Sequence, residues 1–531
     1  MQNVSTAWKE NQKSLLTTEA FVKLVYRVGD DEAQQEANAA AVTGAENFAD
    51  TASITNGLEK APVKYATCEG NWTLDGSVSI LPSAGNIGFV SDTLADENGY
   101  FAVNPQIKLT FAQLHTNPLM GLTVQWATAY GECAADFTIT AYAGATIVAQ
   151  KSVTGNTDTI NAVEVEIENY DSVVIEVQRW SRGGSRARVE DIYLGIQVTY
   201  GKGELLSYTD KAECDPISTG MYNREVVFDL DNVDGKWSPD NPVGVTQYLL
   251  EQQELTAYYG YKLAGGTEWV DGATVWLAEW NTPQNGIKAT FTARGLQQFM
   301  GAKYAGTLNG TLYEIAEAAF RQANLPLNRD GSTRWHIDEA LLDYSVDITD
   351  DYDRTIAETL QLVANAACCV YYEDRKGQAH IERHAPSLSD YRIDRFVSYS
   401  WGEYELLAPL LYVDVNDGLY VTAAAKKGEA VEVDNPFIQT ATHAEEVALW
   451  MADWLSHRKS LSGEYRADPR LDLLDGISLQ NKYGLQPLLV TSTEFTFAGA
   501  FKGKYTGRVY ADILAHHAIP LNTAYLGGDR L

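Results

Sequence analysis

Basic side chains are scarce. The 531-residue chain carries 40 Lys and Arg against 71 Asp and Glu, a formal net charge of −31. Phosphate contacts need Lys and Arg, so this balance argues against stable nucleic-acid binding. It favours solubility and repels anionic surfaces. Cysteine is scarce too: Cys68, Cys133, Cys214, Cys368 and Cys369 are odd in number and form no CxxC pair. This speaks against a disulfide framework or a zinc site and in favour of buried free thiols. No apolar run of about 18 residues occurs, so no membrane span is expected. The opening "MQNVSTAWKENQKSLLTTE" has no apolar h-region. No signal peptide is expected, and a chain made in a cytoplasm would leave the cell by a route such as lysis.

Catalytic signatures are missing as well. None of the eight His lies in HExxH, and there is no GxSxG, no Walker A and no GxGxxG after a strand. His380 and His384 flank "IER" at a hairpin end and read as surface. Carboxylate pairs are plentiful, but 71 acids guarantee chance pairs. The expectation is a protein that is not an enzyme, with no cofactor and no metal.

What is present leans toward β-structure. There are 30 Tyr and 12 Trp, and Thr, Val and Gly are common. The length allows about three or four domains of ~100–200 residues. "AFVKLVYRV" reads as a strand closing a segment 1–28. From Val28 to Leu58 the chain has no Lys or Arg and is rich in Ala, so 29–64 reads as an acidic arm or linker. Over 65–200 the period is 2, as in "KLTF", "LTVQW", "FTITAYA", "VEVEIE" and "VVIEVQRW", which is the pattern of a β-sandwich. Residues 201–302 are again mostly β. Capping boxes then announce helices at Thr311/Glu314, Thr355/Glu358 and Thr442/Glu445. A hairpin turns at Asp374–Gly377. This gives an α/β module at 303–400 and a second β domain at 401–531.

The stretch "FDLDNVDGKWSPDNP" holds four Asp, two Asn and a Gly. As a calcium loop it fails in every frame. Starting at Asp229, Val233 falls where an oxygen ligand is needed and Asp234 where Gly is needed. It reads instead as a structural turn. The Asn and Asp of "DNVDG", Asp231 and Asp234 among them, bond their own backbone, Gly235 takes positive φ, and Trp237 covers a core edge.

This stretch, followed by "YLLEQQELTAYYG", resembles the tail-tip hub or tail-associated proteins of bacteriophages and prophages. "GELLSYTDKAECDPIS", "VWLAEWNTPQNGIKATFTARGLQQFM", "DDYDRTIAETLQLVANAACCVYYEDRKGQAHIER" and "EYRADPRLDLLDGISLQNKYG" fit the same pattern in the same order. The resemblance covers 1–28 and about 201–515. It implies a mainly β fold with an α+β module: two tail-hub-type β-barrel domains that line a tube, with the module between them. It also implies self-association into a ring of three chains, contacts with other tail or baseplate proteins, and a place at the tail tip of a virion. Acidic walls suit a conduit that passes DNA without binding it.

The segment 65–200 departs from a minimal hub. "NWTLDGSVSILPSAGNIGFVSDTL" followed by "IKLTF" resembles galactose-binding-like jelly rolls, in which loops at one end bind sugars. Trp72, Trp126, Tyr130 and Trp180 are the candidate platforms for a host cell-surface glycan. "RWSRGGSRAR" places four arginines together. It reads as a solvated loop or subunit interface, or as an anion or acidic-glycan site. Rival readings are a free carbohydrate-binding adhesin, a glycan hydrolase on a β scaffold, and the hub of a tailocin or injection machine.

Overall fold

The computed structural model describes residues 1–14, 16–56, 65–66, 80–81, 87–217, 220–241, 249, 252–282, 286–328, 332–348, 352–384, 388–394, 396–400, 410–415, 419–424, 430–457, 459–481 and 484–509. The chain is mainly β, with few helices and several antiparallel sheets. The frame is one 13-stranded sheet. Its order is Gly195–Tyr200, Ala20–Gly29, Glu254–Leu263, Gly266–Asn281, Lys288–Arg294, Asn223–Asp231, Leu205–Glu213, Gly484–Phe497, Phe501–Val509, Ser460–Tyr465 and Phe396–Ser400. Gly476–Asn481 also pairs with Gly484–Phe497, and Leu388–Ile393 pairs parallel with Gly476–Asn481.

Two separate barrels were expected. Leu205–Glu213 instead pairs on both edges, with Asn223–Asp231 on one side and Gly484–Phe497 on the other. The early and late β segments therefore merge into one sheet, and no sheet among the described residues closes on itself. They share one core, in which Tyr26, Phe228, Trp237 and Phe291 lie with Leu461, Tyr465, Leu488 and Tyr505.

The sandwich hangs from the edge of this sheet. Ala20–Gly29 leads into it, Gly195–Tyr200 leads out, and the two pair antiparallel from Leu24↔Tyr200 to Gly29↔Gly195. At this neck a Cβ on Gly29 would lie 2.5 Å from the Leu194 carbonyl oxygen, and one on Gly195 would lie 2.4 Å from Gly29 Cα. Only glycine allows so close an approach.

The expected linker at 29–64 is corrected over its described part, 29–56. A helix at Asp31–Glu36 and a strand at Asn38–Ala41 belong to the sandwich. Ala33, Ala39 and Ile54 are buried in its core. The Ala-rich composition gives small side chains that fit under a sheet, not a solvated tether. The sandwich packs a five-stranded sheet and a three-stranded sheet around this core. The first runs Asn38–Ala41, Gln106–His115, Tyr170–Trp180, Ala134–Ala143, Thr146–Val153, and the second Ile160–Ile167, Leu119–Gln125, Asp191–Tyr193.

The module's helices form where local chemistry dictates. Thr311 and Glu314 make a reciprocal capping box, as do Thr355 and Glu358. The first helix buries Leu312, Ile315, Ala316, Ala319 and Phe320 and ends at Asn324, whose φ is 49°. The third helix, Ala441–Ser456, corrects the Thr442/Glu445 expectation: its N-cap is Thr440, which accepts from the His443 N–H, so the start lies earlier. This helix packs with the module. Ala444, Val447 and Met451 share a core with Leu360 and Phe320, and the His443 ring contacts the Ala366 carbonyl oxygen at 2.7 Å. The module boundary at 400 is corrected accordingly. Leu388–Ile393 and Phe396–Ser400 belong to the large sheet, while the helix beyond 440 belongs to the module.

Arg375, at the tip of the module's hairpin, ties the parts together. Its guanidinium is buried. It donates to Asp472 Oδ2 at 2.8 Å, to the carbonyl oxygens of Asp271 at 2.7 Å and Pro469 at 2.6 Å, and to that of Leu471. Behind it, Arg224 forks onto Asp210 at 3.0 and 2.8 Å, and Tyr259 donates to the same carboxylate at 2.7 Å. The expectation that His380 is a surface residue is also corrected: its ring is half-buried and stacks on Tyr372 at 4.9 Å.

Two outcomes follow from this joint. Arg375→Lys loses the fork that serves three carbonyls and a carboxylate at once, and urea unfolding should show a loss of about 3 kcal/mol. Unchanged stability would mean that the joint is not held by this side chain. Glu373, two residues earlier, is buried and accepts from the Leu296 N–H at 2.9 Å and the Tyr371 hydroxyl at 3.3 Å. Burial raises its carboxyl to about 7, against those bonds and Arg224. The folded chain thus holds this proton more tightly than the unfolded one, whose glutamate titrates near ~4.3. The stability it contributes is full below that value and is lost as pH rises through about 7. Glu373→Gln should therefore stabilise the protein at pH ~8 by on the order of 2–3 kcal/mol and change little at pH ~4.

Candidate functional site

The outward face of the five-stranded sheet forms a shallow depression of about 500 Å³. Strand alternation builds it. Phe137, Ile139, Val173, Ile175 and Val177 point into the core. Their neighbours Thr138, Thr140, Glu176 and Gln178 line the depression, with Gln106, Lys108, Gln150 and Ser152 from the flanking strands. These side chains are bonded to one another. Gln178 donates to Thr138 at 3.0 Å, Thr138 and Ser152 hydroxyls meet at 2.9 Å, and Gln150 donates to Thr140 at 3.1 Å. Glu176 accepts from Gln106 at 2.6 Å and Asn104 at 2.8 Å. The strands were legible in the sequence. The depression was not, because its lining comes from separate strands whose order only the fold defines.

The aromatic platform expectation is corrected for two residues. Trp126 is 0% exposed and Trp180 1%, so neither ring offers a face to a sugar. They pack edge-to-face at 6.1 Å, with Trp126 also 5.0 Å from Phe137. Their indole N–H groups are used internally, on Asn161 at 2.5 Å and Glu132 at 3.0 Å. Tyr130 is half-buried, and the Arg188 guanidinium lies 4.8 Å from its ring centroid. Trp72 lies outside the described residues.

The arginine-rich loop is paired within the chain. Arg179 meets Asp136 at 2.5 Å, Arg182 meets Glu132 at 3.0 Å and Arg186 meets Glu46 at 2.8 Å. Arg188 lies 3.7 Å from Glu132, with both side chains nearly unexposed. Side chains committed in this way brace the loop against the sandwich, and the alternative of an anion site has no exposed guanidinium cluster behind it.

The turn after Asn223–Asp231 is built from backbone-directed side chains. Asp231 accepts from the Val233 N–H at 3.2 Å and Asp234 from the Lys236 N–H at 3.0 Å. Gly235 has φ +72°. Asn232 accepts from the Trp237 N–H at 2.7 Å and donates to the Gly286 carbonyl oxygen at 2.8 Å. The backbone-bonding role expected for the Asn of this turn falls to Asn232. Trp237, 2% exposed, packs edge-on to Phe291 at 5.0 Å. The Asp231 and Asp234 oxygens face their own backbone, while Asp229 accepts from Ser207, Lys288 and Thr290, so these carboxylates share no common centre. Among the described residues no group of three or more His, Cys, Asp or Glu could hold a metal ion. Also among these residues, no helix is long and apolar enough to cross a membrane. Cys133, Cys214 and Cys369 are buried free thiols and Cys368 is partly buried.

No protein-family model and no curated protein sequence matches the chain. Solved structures give a distant likeness to phage and prophage tail proteins. A tail protein from Neisseria meningitidis MC58 is 8% identical, with a TM-score of 0.40 over 58% of this chain and 93% of that one. Prophage tail protein gp18 from Listeria monocytogenes EGD-e is 11% identical, with a TM-score of 0.39 over 60% and 95%. The prophage MuSo2 tail protein from Shewanella oneidensis is 10% identical, with a TM-score of 0.38 over 60% and 94%. These scores fall short of a common fold.

The turn yields a test. A Cβ at Gly235 would meet only Ser238 Oγ, at 3.7 Å, so the cost of a side chain there is conformational. Gly235→Val should lower stability by about 1–2 kcal/mol or more, and Gly235→Asn by less, since Asn tolerates this region. Calcium should leave the melting temperature of all three proteins unchanged. A calcium-dependent rise would overturn the structural reading of the turn.

Proposed function

We propose that the chain is a structural protein of a phage-type tail tip. It acts as the hub that joins the tail tube to the host-adsorption apparatus and presents the sandwich for contact with a host surface or a partner. The motif series supports this reading by its order along the chain. The observation that carries it is the neck: a whole sandwich is inserted between two paired strands at the edge of a continuous sheet that the early and late β segments build together. A module placed so projects from a frame without interrupting it.

In this reading the work is assembly and recognition, not catalysis. Partners are other copies of the chain in a ring of three, neighbouring tail or baseplate proteins and a host surface. The strand Phe396–Ser400, which ends the sheet path among the described residues, is where subunits would meet, since an unpaired strand edge must be covered. At the other end, Thr123 of the sandwich already bonds the Gly195 carbonyl oxygen and the Gln197 N–H. The net charge of −31 suits a passage for DNA. The sandwich belongs with galactose-binding-like modules on its sequence motifs.

Immunogold labelling of particles from the source culture tests the reading. Label at one end of a tail is the expected result. Label confined to cells or free material, with no tailed particles, would favour the free adhesin instead.

A further inference from the structure

We propose that the depression on the five-stranded sheet binds a neutral, hydroxyl-rich glycan chain. The proposal deepens the surface-contact reading of the sandwich and rests on it. The first argument is the contrast between the two outward faces of the sandwich. Ile160–Ile167, in the other sheet, turns Glu164 and Glu166 to solvent, as an ordinary wet face does. The five-stranded sheet presents amides and hydroxyls instead: Gln106, Gln150, Gln178, Thr138, Thr140 and Ser152. Amide and hydroxyl groups both donate and accept, which is what sugar hydroxyls require of a partner.

Charge and polarity narrow the occupant further. Lys108 and Glu176 are the charged residues of the lining, one of each sign. Glu176 already accepts from Asn104 and Gln106. Such a balance offers nothing to a phosphate or a nucleic-acid backbone. A protein partner wants an apolar centre with aromatic or aliphatic anchors. Here Val42, Val174 and Ala145 are the aliphatic members among polar side chains. Tyr142 adds an aromatic ring to the lining, the element that sugar sites stack upon. The hydrogen bonds from Gln178 through Thr138 to Ser152 hold the lining in place before any ligand arrives, which lowers the ordering cost of binding.

The test uses the full-length protein in affinity gel electrophoresis. The neutral probes are amylose, dextran, galactan, mannan and xylan, with hyaluronate and polygalacturonate as anionic comparisons. At least one neutral polysaccharide should retard the protein. Gln178→Leu and Gln150→Leu keep the side-chain size and remove the amide, and each should weaken retardation about tenfold with an unchanged melting temperature. Glu164→Gln, on the other sheet, should retard as the parent does. No retardation by any neutral polysaccharide overturns the proposal, as does equal retardation of both Leu variants or retardation by the anionic polymers alone. A self-association in sedimentation that the Leu variants abolish would assign the face to a second copy and also overturn it. Loss of glycan binding leaves the position of immunogold label unaffected, and label away from the tail leaves glycan binding unaffected. The two readings therefore fail separately.

Discussion

The buried guanidinium of Arg375 is the constraint on which the arrangement of parts depends. The Asp472 carboxylate, carbonyls from the connection between Ser460–Tyr465 and Gly476–Asn481, and the Asp271 carbonyl of the strand Gly266–Asn281 converge on it. A buried charge is tolerable only when its hydrogen-bonding groups are used. The Asp210–Arg224 pair beside it repeats the logic inside the sheet, with Tyr259 completing the carboxylate's partners. Apolar packing alone would let the module slide over the sheet at little cost. Directional bonds to several segments fix one position.

The local features of this fold were legible in the sequence. Two capping boxes fell where Thr and Glu stand three apart, because both halves of that device lie within one turn. The third failed because the choice between Thr440 and Thr442 depends on where the preceding chain is extended. The period-2 segments became strands. What stayed hidden was pairing between distant segments. The register Tyr208↔Phe497 joins residues that nothing local connects, and with it two expected domains became one sheet.

The candidate site was legible only in pieces. Trp126 shares its face with Leu122 and Val124, so strand parity alone places it inside. Trp180 is different. The register shifts between Val177, Arg179 and Trp180 reverse its parity, and a bulge of this kind leaves no mark that alternation can detect. The polar lining of the outer face was written in the strands that alternation identified. Its meaning depended on which strands lie side by side.

The glycine pair at the neck has an evolutionary consequence. Gly29 and Gly195 face each other as the last pair of two antiparallel strands. Deleting everything between them and closing the gap with a tight turn would leave a plain hairpin in the same register, with the strand order of the large sheet intact. The sandwich is thus a cassette. A lineage could gain it, lose it or exchange it for another by recombination at one point, while the frame that carries it kept its own selective history.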